Sequence, residues 1–219
     1  MLMRQRRTIA RLRDVAWVLA PFGLVLLVGA IVYTLANYKM VTEMGDSMRP
    51  TFRPGDRLLI EQIDATEIRR GDVVLIDPPE RYMAEPVLRR VIGIGGDHVV
   101  GAGNRVTVNG KPLDEPYVTD VYEDPGVDPY DVKVPEGRLF VLGDHRANSN
   151  DSRYHLREQS GSFAASGVQG RVMENSAAPT TLVTIGGLGV ALTLLGIGGY
   201  IARRRAQRRT PPAAPWLVA

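Results

Sequence analysis

Two uncharged apolar runs, one near each end, constrain this chain more than any other feature. Residues 15–36 read VAWVLAPFGLVLLVGAIVYTLA and residues 182–202 read LVTIGGLGVALTLLGIGGYIA, with no Asp, Glu, Lys or Arg in either. As a helix the first run is about 33 Å long, close to the thickness of a bilayer core. The six glycines of the second suit close helix packing in lipid. Buried helices of soluble proteins rarely run this long without a charge. A cleavable signal peptide is the other reading of the first run. Its apolar stretch exceeds an h-region of about 7–15 residues, and no small-x-small site ends it. Both runs are therefore read as transmembrane helices, the first an uncleaved anchor.

Arginines flank the outer side of each run. Arg4, Arg6, Arg7, Arg11 and Arg13 precede the first; Arg203, Arg204, Arg205, Arg208 and Arg209 follow the second. With Asp14 counted, the two ends carry +9, whereas the stretch between them carries −6. The excess of Arg beside the spans predicts a plasma-membrane protein with both termini in the cytoplasm and the middle outside. A nucleic-acid surface is the competing reading of the Arg tails; their place beside apolar runs argues against it. The expected layout is a basic cytoplasmic tail (1–14), a span (15–36), an extracytoplasmic domain (37–181), a second span (182–202) and a basic cytoplasmic tail (203–219).

The chain has no Cys, which removes disulfides, thiolate metal sites and a Cys nucleophile. Its three His lack the spacing of a helical zinc site, so no metal is expected. The middle is long enough for one domain. Short Val, Ile and Leu-rich runs recur at 57–62, 72–76, 87–94, 98–100, 105–108 and 138–142. Asn109-Gly110 after RVTV reads as a hairpin turn. RRGD at 69–72, GIGGD at 93–97 and DPGVDP at 124–129 break the chain between runs. No amphipathic helix of useful length shows, so the class is mainly β, a sheet or barrel.

Two segments carry possible chemistry. Ser47 lies eleven residues after the first span, in MGDSMRPTFRPGD. It is flanked by Gly45 and Pro50, and a Gly permits the close backbone approach that an oxyanion site needs. The alternative is a turn Ser bonding its own backbone. Met40 to Thr42 and Met48 read either as an apolar surface for lipid or an extended peptide, or as ordinary core. The second segment is GDHRANSNDSR at 143–153. Pairing among Asp144, Arg146, Asp151 and Arg153 would fix Ser149 and Ser152; a solvated surface loop is the alternative. Residue chemistry alone leaves both questions open.

Together these segments resemble bacterial type I signal peptidase, the leader peptidase that works as a membrane-bound Ser/Lys-dyad protease. GDSMRPTFRPGD resembles the family's nucleophile box, RRGDVVLI its next strand and LRRVIGIGGD the box that holds the Lys. VNGKPLDEPYV and GDHRANSNDSR resemble two later segments in the same order. The match covers nearly the whole middle, and the form of the first box with the second anchor is closest to Gram-positive, actinobacterial members. The resemblance implies a mainly β catalytic domain between two transmembrane helices. It implies Ser47 as nucleophile, its amide helping to bind the oxyanion, with Gly45 where other members place a Ser hydroxyl. Ser149 would orient the base, Asp151 and Arg153 would form a structural ion pair, and Asp144 and Arg146 would support the loop. Implied partners are exported preproteins carrying signal peptides, the lipid bilayer and the export machinery. No cofactor, metal or nucleic acid is implied.

One departure matters. Where the family has Lys-Arg-Val, this chain has Arg89-Arg90-Val91. A Lys serves as general base because burial depresses its pKa. Arg keeps its proton and has no acceptor. Three accounts are compatible with Arg89: a catalytically impaired protein that binds preproteins or export partners, a base elsewhere, or a substitution at that codon. His145 is the candidate alternative base, since imidazole accepts protons near neutral pH. The leading reading is a serine endopeptidase that removes signal peptides; the impaired, binding protein is its rival.

Overall fold

The structure is a computed structural model, and it describes residues 2–77, 86–103, 105–119, 128–173 and 177–209. The chain divides into two units. One comprises residues up to Ala36 together with those from Asn175 onward; the other is Asn37–Glu174.

The first unit is two long helices, α1 (Leu2–Asn37) and α2 (Ala177–Arg209). Within them, Trp17–Asn37 and Thr180–Arg205 are long and apolar enough to cross a membrane, with mean hydropathies of 2.3 and 1.9. Most of the molecule's exposed large apolar side chains lie on these helices, among them Trp17, Val25, Leu35, Val183 and Leu195. Such a surface is costly in water and at home in lipid. The helices touch at Gly23 and Gly189. A Cβ on Gly23 would fall 2.5 Å from the Gly189 carbonyl, and one on Gly189 would fall 2.7 Å from the Gly23 carbonyl. Only residues without side chains let two helix backbones approach so closely.

The second unit is built of antiparallel strands. In chain order they are β1 (Tyr38–Thr42), β2 (Arg57–Glu61), β3 (Val73–Ile76), β4 (Val87–Ile94), β5 (His98–Ala102), β6 (Arg105–Val108), β7 (Lys111–Pro112), β8 (Tyr130–Lys133), β9 (Arg138–Leu142), β10 (Phe163–Ala164) and β11 (Val168–Val172). Seven form one sheet in the order β1-β2-β11-β3-β4-β9-β10, and four form a second in the order β7-β6-β5-β8. The mainly β class expected from the sequence is what the chain adopts. β4, β6 and β9 carry the sequence-expected bounds, and β2, β3 and β5 differ by one or two residues. The expected hairpin is present: Asn109 (φ 53) and Gly110 (φ 74) turn β6 into β7, with both central residues left-handed as a type I′ turn requires.

The core forms three clusters. The one that matters for the site holds Met48, Leu58, Ile60, Val73, Leu75, Leu88 and Val172. Met48 is fully buried, so of the two readings for that residue the core one holds; Met40 and Met44 are exposed. β4 supplies the site's frame. It pairs with β3 along Val87–Arg90 and with β9 along Arg90–Ile94, and a bulge between Val91 and Gly93 shifts the β9 register. Arg89 and Arg90 are neighbours on this strand, and both are buried. Successive strand residues face opposite sides, so the two guanidiniums reach different parts of the site.

Candidate active site

Ser47 opens a turn that follows the irregular stretch after β1. The next side chain, Met48, plugs into the core and so fixes which way Ser47 faces. The Ser47 carbonyl is held from the 143–153 segment by two donors. The His145 amide donates to it at 3.0 Å and the Ser149 hydroxyl at 3.0 Å. Ser149 Oγ also lies 2.8 Å from the His145 carbonyl. The Ser47 turn and the polar loop, about a hundred residues apart in sequence, are thus one hydrogen-bonded body. Gly143 makes their approach possible. A Cβ there would sit 1.8 Å from Ser149 Oγ and 2.7 Å from the Ser47 carbonyl.

Arg89 lies directly on Ser47. Its Nη1 donates to Ser47 Oγ at 2.8 Å. The rest of the guanidinium is anchored on carbonyls: Nη2 and Nε on Asn150 at 2.8 and 3.3 Å, and Nη1 also on Leu88 at 2.6 Å. Position 89 is therefore where a group acting on Ser47 would sit, but it presents only donors.

Arg90 braces the other side. Its Nε and Nη2 grip both oxygens of Asp144, at 2.8 and 2.6 Å, in the parallel two-bond geometry that suits a carboxylate. Its Nη1 reaches the Gly71 carbonyl at 2.9 Å, and the guanidinium carbon stacks 4.0 Å from the Tyr117 ring centroid. Thr51, in the nucleophile turn, donates to the same Asp144 carboxylate. The pairing expected inside the polar loop holds only in part. Asp151 and Arg153 do pair, through Nε–Oδ1 at 2.8 Å and Nη2–Oδ2 at 3.0 Å. Asp151 also accepts the Gly143 amide at 3.1 Å. Asp144 and Arg146 reach outward instead: Asp144 to Arg90, and Arg146 to Glu115 and to the Gly143 carbonyl. The physical reason is reach. Asp144 and Arg146 both follow Gly143, with His145 between them, and each meets an opposite charge from a neighbouring segment. Ser152 is occupied in the fold, its Oγ accepting the Val141 amide at 2.9 Å.

A cleft of about 690 Å³ opens in front of Ser47, lined among others by Glu43, Gly45, Ser47, Arg89 and Asn148. Leu75, Val87 and Leu88 give it an apolar wall. His145 sits beside it with Nδ1 3.1 Å from both the carbonyl and Oδ2 of Asp46. Burial pulls the Asp46 carboxyl up, but Arg49, His145 and Asn148 outweigh it and hold Asp46 below the usual carboxylate range. The Ser47 amide has no hydrogen-bond partner among the described residues, so a donor stands beside the Ser47 hydroxyl. The Gly45 amide is engaged, donating to Glu43 Oε1 at 3.0 Å.

Sequence reasoning missed Glu43, Arg90 and Glu115. Arg90 was adjacent to a singled-out position, and strand alternation would have flagged it as aiming elsewhere. Glu43 is a lone acid in the apolar stretch MVTEM, a signal passed over. Among the described residues no group of His, Cys, Asp and Glu is arranged to hold a metal ion.

A serine on a core-anchored turn, a cation on its hydroxyl and a cleft with one apolar wall in front together form a candidate serine site on an antiparallel β frame. Residues 15–175 match the family described as signal peptidase, peptidase S26, and the chain belongs to that family. It is 40% identical over 114 residues to a probable signal peptidase I-2 of Synechocystis sp., covering 49% of this chain and 51% of that one. It is 39% identical over 121 residues to a signal peptidase I of Bacillus licheniformis, covering 51% and 64%. A signal peptidase I U of Bacillus subtilis is 30% identical over 139 residues, covering 59% and 73%. A crystal structure of a signal peptidase I from Enterococcus faecalis V583 aligns with a TM-score of 0.41 at 27% identity, over 49% of this chain and 97% of that one. The chain spans about half the length of the first of these relatives and under two thirds of the second.

Proposed function

We propose that this chain is a membrane-anchored serine endopeptidase that removes signal peptides from exported preproteins, with Ser47 as nucleophile. The observation that carries the reading is Ser47 Oγ, held at the mouth of a cleft with one apolar wall under an Arg89 hydrogen bond. A cation on the hydroxyl favours the alkoxide over the alcohol and so lowers the cost of forming the nucleophile. Ser47 attacks the scissile carbonyl, and the Ser47 amide is placed to stabilise the oxyanion that develops. The acyl-enzyme is then hydrolysed. Gly45 supports this chemistry by leaving room, and Ser149, Asp144, Arg146, Asp151 and Arg153 hold the frame on which Ser47 sits. The apolar wall suits the small side chains that precede the cut in the family's substrates.

The two apolar helices are the membrane anchors in this reading. Their flanking arginines place both termini in the cytoplasm and the Asn37–Glu174 unit outside the plasma membrane, where exported preproteins emerge. Two anchors confine enzyme and substrate to the same plane.

Arg89 favours a second reading. A guanidinium donates and never accepts, so a protein with no other proton acceptor at Ser47 would bind preproteins or export partners without cutting them. The deciding experiment is cleavage of a purified preprotein by the full-length chain in detergent, with wild type, Ser47→Ala and Arg89→Lys compared. Cleavage by wild type and none by Ser47→Ala is the expected result. Cleavage by Arg89→Lys alone would instead make the natural chain a silenced peptidase.

A further inference from the structure

The active reading requires a base that residue 89 does not supply. We propose that the Glu43 carboxylate is that base, taking the Ser47 proton across one bridging water. The inference rests on the peptidase reading above.

Three observations point to Glu43. The first is placement. Glu43 lines the same cleft as Ser47 and Arg89, and its backbone is pinned at both ends, its amide on the Asp56 carbonyl at 2.9 Å and its carbonyl on the Gly55 amide at 2.8 Å. The second is the path. A Cβ on Gly45 would lie 3.0 Å from Glu43 Oε1 and 3.9 Å from Ser47 Oγ. Both oxygens therefore border the point that a side chain at position 45 would fill, and glycine keeps the line between them open. The third is the cost of putting an acid there. Glu43 is only 7% exposed, and among the described residues its carboxylate accepts one hydrogen bond, from Gly45. A buried, under-bonded carboxyl in a cleft is an expensive feature for a surface turn, and a useful one for proton transfer.

The charges facing Glu43 fit the task. Burial pushes its carboxyl above the ordinary value and Asp56 adds to that, while the Gly45 amide and Arg89 pull it down. A carboxylate whose pKa is raised is a better proton acceptor than an ordinary one. Asp46, the other acid of the cleft, is held low and is committed to Arg49 and His145. His145 spends Nδ1 on Asp46. Arg89 and Glu43 then divide the work of a single lysine: the cation stabilises the alkoxide and the anion takes the proton.

The proton balance closes. The Ser47 hydroxyl proton moves through the water to Glu43 as the Oγ–C bond forms and the carbonyl electrons move to oxygen. Glu43 returns that proton to the leaving amine as the C–N bond breaks. In the second half, Glu43 takes a proton from the water that attacks the ester. It gives that proton to Ser47 Oγ when the acid product leaves.

The test uses the full chain in detergent and a purified preprotein, with wild type, Glu43→Gln, Arg89→Lys and the Glu43→Gln/Arg89→Lys pair. Glu43→Gln should lower kcat/KM at least about 100-fold, the usual size of a general-base contribution. The wild-type acid limb should lie above the pH expected of an exposed Glu. Adding Arg89→Lys to Glu43→Gln should bring cleavage back, because a lysine supplies the missing acceptor; a structural lesion would not be rescued this way. Active wild type with an equally active Glu43→Gln overturns the assignment of Glu43 alone. Loss in Glu43→Gln without rescue by Arg89→Lys, while Arg89→Lys alone is active, makes the role structural and also overturns it. Silent wild type beside active Arg89→Lys overturns the active reading, and Glu43 falls with it. No cleavage by any of the four overturns the peptidase reading itself.

Discussion

Arg89 Nη1 donates to Ser47 Oγ at 2.8 Å, so the group on the Ser47 hydroxyl is a permanent donor. The hydroxyl oxygen receives charge stabilisation from one side and must shed its proton to another. That separation sets what each variant of the site should do.

Ser47→Ala should reduce preprotein cleavage by at least about 10³-fold, since removal of a covalent nucleophile leaves only binding and oxyanion stabilisation. Met48, not Ser47, carries the local packing, so the variant should melt with the wild type. A fluorophosphonate should add to a peptide containing Ser47 in the wild type and to none in the variant. Labelling that persists in Ser47→Ala would place the reactive serine elsewhere.

Glu43→Gln should be more heat-stable than the wild type at neutral pH. The folded-state carboxyl is raised chiefly by burial, so folding favours its protonated form. The stability from that group is therefore present below the unfolded pKa, about 4.3, and is lost as pH rises through the folded value. Gln has no charge to bury and keeps an oxygen for the Gly45 amide. Melting temperatures from pH 8 down to pH 4 should show the variant ahead by about 2–4 °C per kcal/mol relieved, the gap closing on acidification. A variant that melts lower at pH 7 and level at pH 4 would mean that ionised Glu43 stabilises the fold.

Much of this architecture was legible in the chain, for physical reasons specific to each part. β4 and β9 read clearly because each carries a run of large apolar residues buried on both faces, Val91-Ile92 in β4 and Leu139-Phe140-Val141-Leu142 in β9. β1 and β11 were missed. β1 (YKMVT) is an edge strand with a largely exposed face, and β11 carries Gly170 where the register with β3 shifts. The Asp151–Arg153 pair was foreseeable because its members are two residues apart. The Arg90–Asp144 and Arg146–Glu115 pairs were not, since 54 and 31 residues separate their members and only the folded sheets bring them together. Ser47 stood out by motif, whereas Glu43 became visible only when burial and the open position at Gly45 were seen together.

Asp144→Ala should destabilise the Asn37–Glu174 unit by about 3–5 kcal/mol, the cost of leaving a buried partner charge uncompensated. Arg90 is 7% exposed at its side chain and Asp144 1%, so water cannot easily replace the lost carboxylate. Thr51 loses its acceptor in the same change, which should loosen the nucleophile turn and lower kcat as well. Arg90→Met combined with Asp144→Leu removes both charges and should recover part of the stability. Equal losses from the single and double variants would show that the ion pair is not what the fold depends on.

Gly143→Ala should be more damaging to activity than its single added methyl suggests. The new Cβ would fall 1.8 Å from Ser149 Oγ, far inside contact distance, so Ser149 or the loop must move. Ser149 and the His145 amide are the two donors that hold the Ser47 carbonyl, and that carbonyl would itself lie 2.7 Å from the methyl. Displacement therefore passes straight to the nucleophile, where misplacement by about 1 Å is worth some 100-fold in rate. Gly143→Ala should lose at least about 100-fold in kcat with KM little changed, because the apolar wall formed by Leu75, Val87 and Leu88 is untouched. Adding Ser149→Gly removes the nearer atoms in the way, at the loss of one of the two donors to the Ser47 carbonyl. If displacement of Ser47 is the cause, that double variant should cleave faster than Gly143→Ala alone. No recovery on removing the Ser149 side chain would point to the backbone of the 143–153 segment as the seat of the damage.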